Sequence, residues 1–585
     1  MSLDIARLVA FSGISATELQ ISVASSNISN ADTAGYTRKT ANQIASVTGG
    51  IGTGVSITGI SGNVDQLLLK SLIGANSELG AAGTTSSFMT QLKQLFGSAS
   101  TSGTSTTGTS LANSLAALEK ALSSLASSPG SVSLQSAVVS ALDDFASQLR
   151  GTSSGVQALR ANADKDIASS VQSINGDLKQ IADLNVEIRK MAAAGQSTAD
   201  LEDERNAALQ DLSSYMNISY YAASNGDLQI YTSSGRALVD SSAHTLSYAA
   251  SANVSASSSY ASGGFSGIMV DGVDVTSQIT SGKVGALIAA RDGSLPAVQS
   301  QLDQLASQLK SALNAISNGA SAVPPPTSLT GTASVTSSTA LSATGTVRIA
   351  VADQSGNLVS YQDLNLSSYA TVGDLVTALN GMAGVSASID ANGHLTISAT
   401  SSGNGIAIGN MTSAVGGAGF SDYFGMNDLV TGTGASDFAV NSRILSGAVG
   451  LPTGTLDGSA TLTAGSKVLT AGSATVINQL YNKLTGSTSF SSAGGLSATT
   501  GSFADYAAAI VANVASKASQ AATAYTAKST AQSTYASSLA SQSGVNIDEE
   551  TARLSALQNK YAAASQLISV VNSMFSSLLG AVQSN

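Results

Sequence analysis

The sequence predicts a multi-domain α+β protein. Its predicted parts are a terminal α-helical coiled coil, a long helical-bundle domain with β-hairpins, and a β-rich insert domain. Three observations support this prediction. The chain has 585 residues, and at about 150 residues per domain it is too long for a single core. Apolar residues recur at helical spacing, most clearly toward both ends. Alternating segments with Asn-Gly or Gly-Asn turns lie between those helices.

The helical bundle is predicted from apolar spacing in the first half of the chain. Residues 111–125 place leucine at four-three intervals. Residues 167–192 hold one heptad seam, with Asn185 as its single polar member, inside a helix expected over 156–194. Residues 298–316 repeat that spacing. Together with the apolar stripe at the N-terminus, these segments are expected to pack side by side as an antiparallel bundle.

Strand signals interrupt the helices. Residues 217–240 alternate around an Asn-Gly turn, which predicts a hairpin. Three consecutive prolines at 324–326 form a stiff spacer and predict a domain boundary, beyond which two strand pairs flank a short helix. The predicted domains are a terminal coiled-coil domain of 1–60 with 541–585, a helical-bundle domain with strand elements of 61–323 with 451–540, and a β-rich outer insert domain of 324–450.

The last segment, residues 554–582, has the clearest heptad pattern, and its two seam positions contain no polar residue. Burying each large side chain there contributes about 1.5 to 3 kcal/mol, so the seam needs a cover. The helix can join the bundle of its own chain, or it can pair with the N-terminal stripe as a coiled coil that neighbouring copies complete. The second alternative predicts an assembly interface of Leu8, Phe11, Ile14, Leu19, Ile21, Ile28, Leu554, Leu557, Tyr561, Ile568, Val571, Phe575 and Leu578.

Composition excludes several classes of function. The chain has 25 Lys and Arg against 36 Asp and Glu, a formal net charge of −11, so no nucleic-acid partner is expected. Cysteine is absent and His244 and His394 lie far apart, so no catalytic, metal or cofactor site is predicted. The acidic run 200–204 is expected to solvate a helix start. No apolar run reaches the about 18 residues of a membrane span, and Asp4 and Arg7 interrupt any apolar signal core.

Residues 26–38 and 545–579 carry two further motifs. Both resemble the N- and C-terminal signatures of the bacterial flagellar rod, hook and hook-associated axial proteins. The resemblance assigns Asn27, Asn30, Gly35, Tyr36 and Arg38 to the axial-protein motif. Asn30 and Gly35 are expected to turn the chain out of the first helix, because Asn and Gly tolerate the left-handed backbone that ends helices. Tyr36 and Arg38 are expected to pack either on a neighbouring subunit or within their own chain, and both alternatives stay open.

Residues 200–205 resemble a segment of the hook-associated protein 1 family, the hook-filament junction proteins. That resemblance implies a structural protein, not an enzyme, that forms a ring of its own copies between hook and filament. The implied partners are the hook protein, the second hook-filament junction protein, an export chaperone on the C-terminal helix and the flagellar type III export apparatus. The implied location is extracellular, reached without a cleaved signal peptide. Alternatives are a hook or filament subunit, or a secreted adhesin or enzyme with a β-domain.

Overall fold

The computed structural model describes residues 3–97, 110–470 and 473–583. Helices and sheets are mixed along the chain, which confirms the α+β class. The helices are α1 Leu3–Ser29, α2 Gln66–Leu95, α3 Leu111–Ser127, α4 Val132–Ala193, α5 Ala199–Tyr215, α6 Gly282–Ala289, α7 Leu295–Ser317, α8 Val372–Asn380, α9 Phe420–Phe424, α10 Ser442–Leu445, α11 Thr475–Thr485, α12 Phe503–Ser543 and α13 Ile547–Gln583.

The strands are mostly short, and each pairs antiparallel with its neighbour. They are β1 Lys39–Thr48, β2 Ile51–Gly62, β3 Ser219–Ala222, β4 Leu228–Tyr231, β5 Ala237–Val239, β6 Leu246–Ser247, β7 Met269–Val270, β8 Val273–Asp274, β9 Ser321–Ala322, β10 Ser328–Ser334, β11 Ala343–Thr344, β12 Thr346–Asp353, β13 Leu358–Asn365, β14 Val385–Ile389, β15 His394–Ala399, β16 Asn404–Gly409, β17 Ala414–Val415, β18 Val430–Thr431, β19 Ala439–Val440, β20 Pro452–Gly454, β21 Thr488–Phe490 and β22 Thr499–Gly501.

The body of the molecule is built on α4, a helix of 62 residues. The helices α3, α4 and α7 share one apolar core, as the leucine spacing predicts. Helix α4 begins well before the predicted residue 156, because Val138, Leu142 and Phe145 continue the buried stripe toward its N-terminus. Burial of that stripe outweighs the about 1 kcal/mol that each interior glycine costs a helix. The N-terminal helix α1 lies outside this bundle, against α13 and the β1–β2 hairpin, so its predicted place in the bundle is wrong.

The body also contains α2, which packs along α12 and for which the sequence carried no prediction. Small residues take part in the packing of α2. A Cβ on Gly80 would lie 2.2 Å from the Ser214 carbonyl oxygen of α5, so this close approach requires glycine, whereas one on Gly83 would lie at an ordinary contact distance of 3.4 Å from the Tyr525 ring of α12. Glycine, serine and threonine leave no apolar periodicity to detect.

The predicted hairpin near residue 225 is confirmed by the pairing of β3 with β4. Its attachment to α4 explains the single polar member of the heptad seam. Asn185 is 2% exposed; its amide nitrogen donates to the Leu228 carbonyl at 2.9 Å, and its oxygen accepts from the Leu228 N–H at 3.0 Å and from Arg205 Nη1 at 2.9 Å. The amide therefore extends the hydrogen bonding of β4 onto the helix.

The insert contains the two predicted strand pairs and the helix between them, which are β12–β13, α8 and β14–β15. The two pairs belong to different sheets, in the orders β13-β12-β16 and β10-β15-β14. Strand β9 pairs with β20, so the chain enters and leaves the insert side by side. The sequence placed the second boundary at 450, whereas the apolar side chains of 429–451 belong to the core of the body.

We predict that Asn185→Leu lowers the free energy of unfolding by about 2 to 4 kcal/mol, because it leaves the buried N–H and C=O of Leu228 unpaired and removes one of the acceptors of Arg205. Asn175→Leu is the matched control. Asn175 makes the same pair of bonds to the Leu246 backbone, at 2.8 and 2.7 Å, but is half-buried, so water replaces the lost bonds at a cost of about 1 kcal/mol. Urea unfolding measures both variants; equal losses would contradict the interpretation.

We also predict a pH-dependent stability from Asp177 on α4. Burial, followed by the charge of Asp211, raises the pKa of Asp177 to about 6. The unfolded chain releases this proton near pH 4, so the folded state binds more protons between those values and stability falls as pH rises through them. Asp177→Asn should raise the free energy of unfolding by about 1 to 2 kcal/mol at pH 7 and by almost nothing near pH 4. Asp183→Asn, at an exposed position of the same helix, should show no such dependence.

Candidate assembly site

The two terminal helices pack against each other in antiparallel directions, with Asn27 near the end of α1 bonded to Glu550 near the start of α13. The contact brings together part of the predicted interface. Leu557 and Val571 are buried; Ile14, Ile21, Ile28, Leu554, Tyr561, Ile568 and Phe575 are half-buried; Leu8, Phe11, Leu19 and Leu578 are exposed.

Helix α1 buries mainly small residues, namely Ala10, Ala16 and Ala24, together with Val23. Several of its large apolar side chains are exposed, namely Leu8, Leu19 and Phe11, the last of which is 64% exposed. On α13 the exposed set continues to the end of the described helix, where Leu579 is 58% exposed. Small residues let the two backbones approach closely, and the bulky residues remain on the outer surface.

Two helical stretches of the described chain resemble membrane spans by length and mean hydropathy alone. They are Leu3–Ser29, with a mean hydropathy of 1.2, and Phe503–Gln583, with 1.3. Only 22% and 6% of their most apolar windows are buried. Burial of these apolar surfaces against another apolar surface would therefore be favourable, and the single chain does not provide that second surface.

The axial motif holds the end of α1 to the start of α13 through one buried amide. Asn27 is fully buried and its nitrogen donates to the Lys39 carbonyl at 2.9 Å and to Glu550 Oε2 at 3.2 Å. Its oxygen accepts from the Lys39 N–H at 2.9 Å and from the Tyr36 hydroxyl at 3.1 Å. Asn27 therefore joins three segments of the chain, and Tyr36 packs within its own molecule.

Gly35 turns the chain after α1, with φ at +81°, as predicted from its freedom in the left-handed region. Asn30 acts differently, because its side-chain nitrogen donates to the Ser26 carbonyl at 3.0 Å and caps the helix end. Arg38 follows the turn and donates from Nε to Glu550 Oε1 at 2.6 Å. Glu550 is 1% exposed, so this intrachain ion pair is largely shielded from water.

A second buried ion pair joins the motif to α5. The ammonium of Lys39 pairs with Asp203, and both side chains are almost fully buried. Asp203 also accepts from the Thr37 N–H at 2.9 Å and from the Thr37 hydroxyl at 2.7 Å. The acidic run was expected to solvate a helix start, and that expectation is wrong for Asp203. Lys39 was missed, because no spacing in the sequence links residues 39 and 203.

The electrostatic surroundings keep Tyr36 neutral. Burial, followed by the negative charges of Asp200, Asp203 and Glu550, raises the pKa of Tyr36 to about 12. The Lys39 ammonium lies 4.9 Å from the centre of the Tyr36 ring, a favourable cation–π distance. Tyr36 therefore acts as a neutral hydrogen-bond donor and as a cover for the buried cation.

The chain passes from the terminal helices to the body after β2 and returns after α12, and the segments 36–38, 63–65 and 543–544 meet at Ser543. The Ser543 carbonyl accepts from the Arg38 N–H at 2.8 Å, and its hydroxyl accepts from the Asp65 N–H at 3.1 Å. The Asn63 N–H donates to the Arg38 carbonyl at 3.0 Å. A cavity of about 220 Å³ lies beside this crossing, between the motif, α2, α5 and α12. We call this set of contacts the crossing junction.

Models of flagellar protein families match both ends and part of the body of this chain. The model of the flagella basal body rod protein family matches residues 8–37, and that of the flagellar basal body rod FlgEFG protein C-terminal region matches 536–581. Between them, the model of the flagellar hook-associated protein FlgK helical domain matches 89–322.

Similar curated proteins are also flagellar hook-associated proteins. Flagellar hook-associated protein 1 of Salmonella typhimurium is 26% identical over 314 residues, which cover 52% of this chain and 55% of the relative. That of Escherichia coli is 26% identical over 315 residues, with the same coverage. The chain thus spans about half the length of the curated relatives it matches. The solved flagellar hook junction protein FlgK of Burkholderia pseudomallei has 16% identity and a TM-score of 0.47, over 80% of this chain and 98% of that chain.

The two terminal matches fall on the helices that form the candidate site, and both are to families of flagellar rod proteins. The match between them and the named relatives are to flagellar hook-associated proteins. The chain is therefore similar, over 52% of its length, to flagellar hook-associated protein 1, a structural flagellar protein.

We predict that Asp203→Asn lowers the free energy of local opening at the crossing junction by about 3 kcal/mol or more, since it leaves the Lys39 ammonium buried without its main anion. Asp200→Asn is the control. Asp200 lies 3.6 Å from the same ammonium, but its side chain is 78% exposed, so its removal should cost at most about 1 kcal/mol. Hydrogen exchange of the amides of residues 37–41 measures the local opening.

The double variant with Lys39→Met and Asp203→Leu should recover part of the lost protection, because an apolar pair removes both buried charges. Equal exchange in Asp203→Asn and Asp200→Asn would show that the buried pair does not hold the junction together.

Proposed function

We propose that this protein is a structural subunit of the bacterial flagellum that forms the ring between hook and filament. The single observation that carries the proposal is the uncovered apolar surface of the terminal helices, which the crossing junction couples to the body. Copies packed side by side would bury this surface, and each large side chain buried contributes about 1.5 to 3 kcal/mol. Such an interface makes the terminal helices stable mainly within the assembly.

The proposed interface consists of the residues predicted from the heptads, with the exposed ones outermost. Leu8, Phe11 and Leu578 would contact neighbouring copies, and the buried Leu557 and Val571 would hold the helix pair. The terminal pair would then function as a coiled coil, with the insert facing outward.

The proposal includes the partners implied by the family. The hook protein would lie below the ring and the second hook-filament junction protein above it. Export would proceed through the flagellar type III apparatus, with a chaperone on α13, and would deliver the protein to the extracellular organelle. The apolar outer surface of α13 supports the chaperone, because such a surface needs a cover before assembly. A membrane surface is the competing cover, and vesicle binding by the purified chain would favour it.

A deletion strain distinguishes this function from its alternatives. Hooks without filaments, restored by the intact gene, are the expected result. Loss of the hooks themselves would indicate a hook subunit, and complete flagella with lost attachment to surfaces would indicate an adhesin. Antibody labelling along the whole filament, instead of at the hook tip, would indicate a filament subunit.

We predict that Phe11→Asp leaves the monomer as stable as the wild type, because the Phe11 side chain is already exposed. The same substitution should prevent filament growth. The reason is that a carboxylate in a dry intersubunit contact costs several kcal/mol. Val359→Asp, at a 46% exposed position of the insert, is the matched control and should assemble normally. Electron microscopy and motility assays measure the outcome. Filaments at wild-type number in the Phe11→Asp strain would refute the proposed interface.

A further inference from the structure

A polar cleft of about 630 Å³ lies between the insert and the body. On the insert side it is lined by 330–332 and His394; on the body side it is lined by Lys310 and by residues of 428–443. Its volume falls within the about 300 to 1,000 Å³ of sites that hold small organic ligands. The cleft lies away from the terminal helices, so the proposed assembly does not use it.

The cleft contains two cations, Lys310 and Arg443, each bonded to a backbone carbonyl. Lys310 Nζ donates to the Gly432 carbonyl at 2.6 Å, and Arg443 Nη2 donates to the Ser328 carbonyl at 2.8 Å. Within the described part of the chain, neither forms an ion pair with a carboxylate. Burial lowers the pKa of Arg443, which means that its charge is partly desolvated. A desolvated cation is stabilised by an anion placed beside it.

The two carboxylates in the cleft have donors of their own. Asp437 accepts from the Thr433 N–H at 2.8 Å and from the Gly434 N–H at 2.8 Å. Asp428 accepts from the Thr332 hydroxyl at 2.5 Å and from Asn318 Nδ2 at 2.7 Å. Both carboxylates are therefore already held by donors of the protein. The cationic groups are therefore the ones left to recognise a ligand.

The rest of the lining is rich in hydroxyl groups. They belong to Thr330, Thr332, Thr431, Thr433 and Ser442. Hydroxyl groups both donate and accept hydrogen bonds, so they match the hydroxyls of a sugar ring. We propose that the cleft binds a sugar acid, with its carboxylate between Lys310 and Arg443 and its ring hydroxyls on the threonines.

Calorimetric titration of the purified full chain tests this proposal. The probes are glucuronate and galacturonate, and the neutral controls are glucose and galactose, which lack only the carboxylate. Saturable binding of at least one acid, at least tenfold tighter than its neutral counterpart, is the expected result. Failure of both acids to bind at millimolar concentration, or equal binding of the neutral sugars, would overturn the proposal.

Lys310→Gln keeps a donor for the Gly432 carbonyl while removing the charge, and it should weaken acid binding at least tenfold. Arg443→Gln should do the same, whereas Arg553→Gln on α13 should bind as the wild type does. Because Arg443→Gln also changes the contact with the Ser328 carbonyl, hydrogen exchange of the wild-type chain provides a second measurement. Acid should slow exchange within 428–443; slowed exchange elsewhere alone, or unchanged affinity in Lys310→Gln, would refute the site.

Discussion

The molecule depends on one constraint, which is that three segments of backbone meet at Ser543, where the chain passes between the terminal helices and the body. Buried N–H and C=O groups need partners, and here the crossing segments supply them to one another through Ser543. The buried Lys39–Asp203 ion pair closes the same junction from the side of α5. Loss of any of these partners would leave polar groups unpaired away from water, so the terminal helices and the body are held in one arrangement.

The junction separates two kinds of packing. Inside it, polar groups of defined geometry such as Asn27 and Glu550 fix orientation. Beyond it, the helix pair buries small residues of α1 against Leu557 and Val571 of α13 and leaves other large apolar residues exposed, with Phe11 as the clearest example. Hydrophobic contact is not directional, whereas hydrogen bonds are. The molecule therefore has a fixed geometry at the crossing junction and exposed apolar surface on its terminal helices. Both features are consistent with the proposed assembly, in which neighbouring copies stabilise the terminal helices.

Much of the fold follows from patterns along the chain. Heptad spacing predicts α3, α4, α7 and α13, because burial of one helical face requires it. Turn chemistry predicts the β3–β4 hairpin, where Gly226 has φ at +87°. Apolar spacing did not predict α2, where small residues take part in the packing. It also did not predict the first half of α4, where a long apolar stripe continues across glycines.

The sequence by itself determined the class of the protein, the helices at both ends and the motif that joins them, since all of these are local in the chain. Tertiary structure alone decided that Lys39 would meet Asp203 and that Asn27 would meet Glu550, residues separated by 164 and 523 positions. It also decided which members of the apolar seam stay in water. Periodicity states which face of a helix must be covered, but the partner is chosen by close packing and by the pairing of buried charges, and both act between distant parts of the chain.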